Sequence, residues 1–244
     1  VPPRVLVTTR AGGRSAAPYD ENNLALHVGD DPSAVVANRR RLAGQLGVGH
    51  VRFMAQAHGA AVAVVDREAR HDDVPHDDVP HDDVPDGDVP DVDALVTASA
   101  GCAIAVLVAD CVPVAVVGGR AVAVIHAGRR GVVAGVVAAT VSALRALDDG
   151  PLVATIGPAI CGRCYEVPAE MQAEVVAAAP AARTTTAAGT PGLDLPAAVR
   201  AQLVGAGVET PEQPAICTRE DARFYSHRRD GVTGRFAMVA MLSP

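Results

Sequence analysis

The chain contains no lysine and no tryptophan. All 21 of its basic residues are arginine, and Phe, Trp and Tyr together make up 2% of its 244 residues. Without lysine there is no Schiff-base amine, no P-loop lysine and no Ser-Lys dyad. Any anion bound here is held by arginine, by backbone N–H groups or by a metal. So few aromatic rings exclude base stacking as a main binding mode. The formal net charge of -7 likewise removes the basic surplus that nucleic-acid binders carry. No apolar run reaches the ~20 residues of a membrane span, because Asp110 interrupts the longest one. The stretch VPPRVLVTTRAGG has no charged segment leading into an apolar one, so no secretory leader is expected. Five cysteines, an odd number, do not read as a disulfide framework. The expected location is the cytoplasm, with no nucleic-acid and no membrane partner.

What is present is a packed globular composition, 49% hydrophobic and 20% charged, of a length that suits one domain over 1–244. Arg4–Thr8 alternates like a short first strand. Asp31-Pro32 opens a helix, the aspartate capping free N–H groups and the proline needing none, and Gly47 ends it after Leu46. Val51–Ala55 and Ala61–Val65 read as strands joined through Gln56-Ala57-His58-Gly59. HDDVP then repeats at 71–75, 76–80 and 81–85. A proline every five residues forbids helix and ladder alike, and the aspartates keep the segment solvated. A flexible loop at about 68–91 is expected. Ala94–Thr97, Cys102–Ala109, Val112–Val117 and Ala121–Ile125 are near-continuous apolar runs, which implies strands buried on both faces. Gly131–Leu147 has helix length, Leu152–Ile156 is a strand, and Pro168–Ala179 and Pro196–Ala206 are helices, the latter capped by Asp194. Phe236–Leu242 closes the chain as a strand. The mixture predicts an α+β fold, a mixed β-sheet core flanked by helices.

Outside the repeat, the histidines are His27, His50, His58, His126 and His227. His58 and His126 stand at strand ends beside glycine, and Asp110-Cys111 interrupts an apolar run between two strands. Burying an acid and a thiol there costs solvation free energy unless they are paired or bound to metal. His58, Cys111 and His126 can converge as two imidazoles and one thiolate. That is the ligand number and type of a catalytic zinc with one open position. A metal-free Cys111–His126 nucleophile and base is the competing reading. Cys161-Gly162-Arg163-Cys164 is a lone CxxC; with no second CxxC it reads as neighbouring thiols in a loop. The cluster RFYSHRR at Arg223–Arg229 either binds an anion or pairs with the acidic surplus.

The ordered blocks TTRAGG, NNLALHVGDDP, VVANRRRL, QAHG, DALVT, VADCVPVAV, AVIHAGRRG, IGPAICGRCYEV, CTRED, ARFYSHRRDG and TGRFA span nearly the whole chain. In these blocks the sequence resembles the laccase-domain family, the YfiH-like proteins once called multicopper polyphenol oxidases and now regarded as purine nucleoside phosphorylases. The resemblance implies a single YfiH-like α+β domain, distantly similar to cysteine hydrolases of the toxin-deamidase type. It also implies that His58, Cys111 and His126 ligate zinc. Asn23 and Arg39 match polar residues the family uses at its nucleoside and phosphate site. Gln56, Asp110, Arg130 and the His227-Arg228 pair are similar to further motif positions. The family usually has Trp where Arg129 stands, and the HDDVP expansion is a second departure.

The activity this implies is phosphate-dependent cleavage of adenosine, inosine and methylthioadenosine to free purine and a sugar 1-phosphate, with adenosine deamination beside it. Arg39 is the expected phosphate fork, since guanidinium is the bidentate partner available in a chain without lysine. Asn23 is expected to hydrogen-bond the ribose or the phosphate, and Asp110 either to protonate the leaving group in deamination or to serve as a structural carboxylate accepting backbone N–H bonds. Eight histidines, three of them in the repeat, do not supply a full multicopper set, whose type 1 copper alone takes two His and one Cys. A single copper at the same three ligands, with polyphenol oxidase activity, is one alternative. A cysteine hydrolase or amidase built on Cys111 and His126, including one that edits peptidoglycan precursors, is another. A metal-sequestering adaptor is the non-enzymatic one.

Overall fold

Strands buried on both faces require two partners each, and the protein supplies them as four stacked layers. The computed structural model describes residues 3–66, 89 and 91–243; the HDDVP repeats lie outside the described residues. The strands are β1 (Pro3–Val7), β2 (Val51–Arg52), β3 (Val62–Val64), β4 (Ala94–Thr97), β5 (Ala103–Val108), β6 (Val112–Val117), β7 (Val122–Ala127), β8 (Val153–Ile156), β9 (Arg183–Thr185), β10 (Pro191–Leu193) and β11 (Phe236–Leu242). The helices are α1 (Pro32–Leu46), α2 (Arg129–Ala134), α3 (Val136–Arg145), α4 (Ala169–Ala178), α5 (Leu195–Gly205) and α6 (His227–Asp230). One sheet runs β1-β11-β5-β2, the other β3-β4-β7-β6-β8, and β9–β10 is a separate hairpin. Parallel pairs (β2 with β5, β3 with β4) and antiparallel pairs are mixed in both large sheets.

Alternation along each strand assigns the layers. Ile104, Val106 and Val108 of β5 and Phe236, Met238 and Ala240 of β11 pack against Leu95, Ala115, Val122 and Val124 of the second sheet. The opposite residues, Ala105, Leu107, Ala237 and Val239, meet Leu42, Ala43 and Leu46 of α1. The outer face of the second sheet, with Val96, Val114, Val116 and Ile125, is covered by α2, α3 and α5. Each fully buried Leu, Ile or Phe in these layers contributes about 1.5–3 kcal/mol relative to exposure. The expected mixed core flanked by helices is therefore two sheets face to face between helical layers.

Local sequence explains most boundaries. Asp31 accepts from the Ser33 amide, Pro32 is the first residue of α1, and Gly47 closes it at φ 75°. Asp194 caps α5 through the Ala197 amide. The single helix expected over Gly131–Leu147 is instead two, broken at Gly135 with φ 84°, a left-handed conformation that ends a helix readily at glycine. Val89 pairs with Met54, so within the loop expected to run to 91 the chain already lies beside the segment that follows β2.

Strand direction gathers the chemistry at one end. Because β7 is antiparallel to both β4 and β6, and β6 to β8, the starts of β4 and β6 and the ends of β7 and β8 share one rim. The end of β5 and the start of β11 meet close by, with Val108 opposite Phe236.

Candidate metal centre and its cationic rim

His58 lies in the turn that leads into β3, Cys111 immediately precedes β6, and His126 is the penultimate residue of β7. Their ligand atoms all lie within 4.8 Å of one another. The His58 and His126 rings meet edge to face, centroids 4.7 Å apart. Gly128 forms the floor: a Cβ there would stand 3.2 Å from His58 Cδ2, 3.3 Å from Cys111 Sγ and 3.5 Å from His126 Cε1. His126 is buried, Cys111 half-buried and His58 exposed, so the cluster opens on the His58 side. Two imidazoles and a thiolate suit a borderline metal such as zinc, and these residues fit one.

Asp93, fully buried, organises the trio. Its Oδ1 lies 2.7 Å from His126 Nδ1 and accepts from the His58 amide at 2.9 Å, while Oδ2 accepts from the Gly59 amide at 2.6 Å. Burial pushes the Asp93 carboxyl up, but the His126 ring and the two amides outweigh it and hold the group below its ordinary value. An ionised carboxylate only accepts, so His126 carries its proton on Nδ1 and turns Nε2 toward the cluster. The same carboxylate fixes His58 in the left-handed region at φ 61°, a conformation that costs a non-glycine residue about 1–2 kcal/mol. Burial likewise pushes the Cys111 thiol up, yet the two imidazoles reverse this and bring it down to about 6. His126 moves oppositely: burial lowers it, and Cys111 with Asp93 raises it to about 9. Without a metal the pair is thus a thiolate and an imidazolium.

Asp110 precedes Cys111 at φ 102°, a strained conformation that its surroundings over-determine. Thr218 donates its hydroxyl to Oδ1 at 2.6 Å and the Arg228 amide donates to Oδ2 at 2.7 Å. Arg228 stacks over Tyr165, 5.0 Å from the ring centroid. Burial and the Cys111 thiolate push the Tyr165 phenol up, against Arg129 and Arg228, so it keeps its proton at neutral pH. Arg235 is half-buried, with NH1 on the Thr233 and Gly234 carbonyls at 2.8 and 3.0 Å. Burial lowers its pKa while Cys111 and Asp110 raise it, which places its charge beside the cluster. Arg129, Arg228 and Arg235 thus rim one end of the sheets.

The other expected substrate residues have the following partners. Asn23 is fully buried and saturated: Nδ2 donates to Ala25 O and Asp30 Oδ2, and Oδ1 accepts from the amides of Ala25 and Arg235. Through the last of these bonds it positions the backbone of Arg235. Arg39 is 4% exposed, gives Nε to the Leu24 carbonyl at 2.8 Å and stacks 4.0 Å over Phe53. Arg39 is therefore packed between α1 and the sheet. Gln56 is tied to β5, accepting from the Leu107 amide at 2.9 Å and donating to its carbonyl at 2.7 Å. This pins the segment that carries His58. Arg130 is exposed on the first turn of α2. His227 is exposed and pairs through Nδ1 with Gly231 O at 2.7 Å. Asp93, Tyr165 and Arg235 were not singled out from sequence. The available signal for Asp93 was an acid directly before an apolar run, in DALVT.

A shallow cavity lined by Gly47, His50, Arg52 and Cys102 lies at the far end of β2 and β5 and includes none of these groups. All five cysteines are unbridged. Among the described residues no helix is long and apolar enough to cross a membrane.

The family model described as multi-copper polyphenol oxidoreductase laccase matches residues 4–243. A purine nucleoside phosphorylase of Streptomyces coelicolor is 53% identical over 237 residues, 94% of this chain and 91% of that protein. One of Mycobacterium tuberculosis is 46% identical over 247 residues, 98% of this chain and 92% of that protein. Among solved structures, a Neisseria meningitidis protein superposes with TM-score 0.82 at 33% identity, covering 99% of this chain and 95% of that one. YlmD from Geobacillus stearothermophilus gives TM-score 0.81 at 32% identity, covering 99% and 92%.

Proposed function

The chain belongs to the multi-copper polyphenol oxidoreductase laccase family, and on that premise we propose that it is a zinc-dependent purine nucleoside phosphorylase. The carrying observation is the convergence of His58, Cys111 and His126 within 4.8 Å beneath an arginine rim, in a chain whose relatives bear that name. Zinc held by these three supplies Lewis-acid polarisation; copper at the same donors is the alternative occupant.

In phosphorolysis a phosphate oxygen bonds to the anomeric carbon as the bond from that carbon to the purine nitrogen breaks. The bonding pair leaves with the purine, and the proton that hydrogen phosphate gives up on esterification ends on the purine. Arg235, with Arg228 and Arg129, neutralises the oxyanion nucleophile, the role first expected of Arg39. Tyr165, protonated at neutral pH, is the donor at the rim that faces the departing base. Asp110 has both oxygens occupied as acceptors, by the Thr218 hydroxyl and the Arg228 amide. It therefore holds Arg228 and the Cys111 turn in place rather than delivering a proton. Phosphorolysis of methylthioadenosine and deamination of adenosine by water belong to the same proposal, so phosphate should inhibit deamination by competing with water for one pocket.

The test is zinc content by mass spectrometry together with phosphate-dependent release of purine from adenosine and inosine, for the wild type and for His126→Ala. At least one zinc per chain in the wild type, with turnover lost and zinc reduced in the variant, is the expected result. Turnover that is intact in His126→Ala, or absent from zinc-loaded wild type, overturns the reading. The Cys111–His126 pair favours a cysteine hydrolase as the second reading. Metal-free protein that leaves nucleosides intact and loses an amidase activity on alkylation of one thiol would select it.

A further inference from the structure

The segment after β8 carries Cys161-Gly162-Arg163-Cys164, and the chain returns beside it at Cys217-Thr218-Arg219-Glu220, with Ala159 and Cys217 bridged in parallel register. Each is a tight turn. The Cys164 amide donates to Cys161 O at 2.9 Å, and the Glu220 amide donates to Cys217 O at 3.1 Å. A turn closed in this way brings its first and fourth side chains to one side, and here the two turns face each other. The three Sγ atoms and a Glu220 carboxylate oxygen all lie within 4.8 Å of one another. A tetrahedral zinc with three thiolates and one carboxylate separates its donors by roughly 3.5–3.8 Å, and Cys164 Sγ stands 3.2 Å from Glu220 Oε1. The Cys161 amide points at Cys217 Sγ, 3.4 Å away, the kind of outer contact that supports a thiolate ligand. Gly162 allows the first turn to dock, since a Cβ there would meet Asp194 Cβ and Thr184 Cγ2 at 2.8 Å.

We propose that Cys161, Cys164, Cys217 and Glu220 form a second metal site, a closed structural zinc distinct from the His58–Cys111–His126 cluster. Four protein donors leave no open position, so the site holds structure and does no chemistry. What it holds is the back wall of the first cluster. Tyr165 directly follows Cys164, and Thr218, which grips Asp110, directly follows Cys217. A metal clamping the two turns therefore fixes both contacts from behind.

The test uses the full chain carrying His58→Ala and His126→Ala, which disable the first cluster, purified with reductant. The expected result is one zinc per chain by mass spectrometry after desalting, and none when Cys161→Ser is added. Cobalt(II) should give a thiolate charge-transfer band that the added Cys161→Ser abolishes. Should that variant fail to fold, Glu220→Gln on the exposed edge is the second probe. It should speed zinc transfer to a chromogenic chelator at least tenfold. A folded double-histidine variant that retains no zinc and shows no cobalt–thiolate band overturns the proposal. So does an intact mass two hydrogens lighter without reductant, which would make the pair a disulfide. None of these readouts involves nucleoside turnover, so failure here leaves the phosphorylase reading standing, and the reverse holds too.

Discussion

Asp93→Asn separates a carboxylate that organises the cluster from one that merely fills space. The carboxylate accepts three hydrogen bonds, from His126 Nδ1 at 2.7 Å, the His58 amide at 2.9 Å and the Gly59 amide at 2.6 Å. An asparagine cannot accept all three. With its carbonyl in the Oδ1 place it keeps the first two and aims an NH2 at the Gly59 N–H. A buried donor facing a donor costs about 1–3 kcal/mol, and each surviving bond loses roughly 1 kcal/mol on changing from a charged to a neutral acceptor. Flipped, it repels the His58 N–H and drives the His126 proton to Nε2, which removes the lone pair aimed at the cluster. The first pose is cheaper, so the expected loss is about 3–5 kcal/mol, or about 6–20 °C in Tm for a chain of this size. Zinc affinity should fall about 10–100-fold, as for other outer-sphere partners of metal-bound histidine. Thermal unfolding and chelator competition read the two quantities, with the exposed neighbour variant Asp91→Asn as control. An Asp93→Asn protein within 2 °C of wild type (about 1 kcal/mol or less) and within threefold in zinc affinity (under the tenfold lower bound) would refute the argument.

Three further outcomes follow from the same geometry. Asp148 accepts from the amides of Arg120, Ala121 and Gly150 at 2.6, 3.2 and 2.9 Å, and those bonds hold its carboxyl below the ordinary value of 3.8. Its contribution is present above that value and fades as pH falls through the depressed pKa. Asp148→Asn should therefore cost about 1–3 kcal/mol in urea melts at pH 7 and less at pH 3; an equal gap at both refutes the assignment. Arg39→Ala should destabilise by about 2–4 kcal/mol or more, since it loses the charged hydrogen bond to the Leu24 carbonyl and the stacking on Phe53, with little change in phosphate KM. A large rise in phosphate KM at unchanged Tm would restore its role as the fork. Arg235→Gln should do the opposite in steady-state kinetics, raising phosphate KM about tenfold or more while circular dichroism is unchanged; an unaltered KM removes Arg235 from the anion site.

The elements legible in the sequence were those specified by near neighbours. Asp31-Pro32 and Gly47 bound α1 because caps act within one turn, and the continuous apolar strands announced burial on two sides. His58, Cys111 and His126 were legible because polar groups stood where an apolar strand end should continue. What was illegible depended on distant partners. Asn23 and Arg39 carry the right chemistry for substrate, and only the fold reveals their contacts with Ala25, Asp30, Leu24 and Phe53. Asp93 follows a tract crowded with aspartates, so its neighbours hid it. The CxxC lacked its second half because Cys217 lies 56 residues away, beyond any local spacing pattern. Gly135 divides a helix that periodicity alone would run through.

The arrangement also explains why the site tolerates strain. His58 at φ 61° and Asp110 at φ 102° are non-glycine residues in positions that cost free energy; the first is itself a ligand of the cluster and the second directly precedes one. Each is held by contacts from a different element. Asp93, one residue before β4, accepts from the His58 amide. Thr218, beside the Cys161–Glu220 cluster, binds one oxygen of Asp110, and the first turn of α6 binds the other through the Arg228 amide. Strain of this kind persists only where independent supports agree. Removing one support should therefore loosen the geometry of the cluster before it unfolds the protein, because the two sheets beneath it are held by an apolar core of their own. The layers supply stability, whereas the rim, assembled from segments between residues 58 and 235, supplies the chemistry.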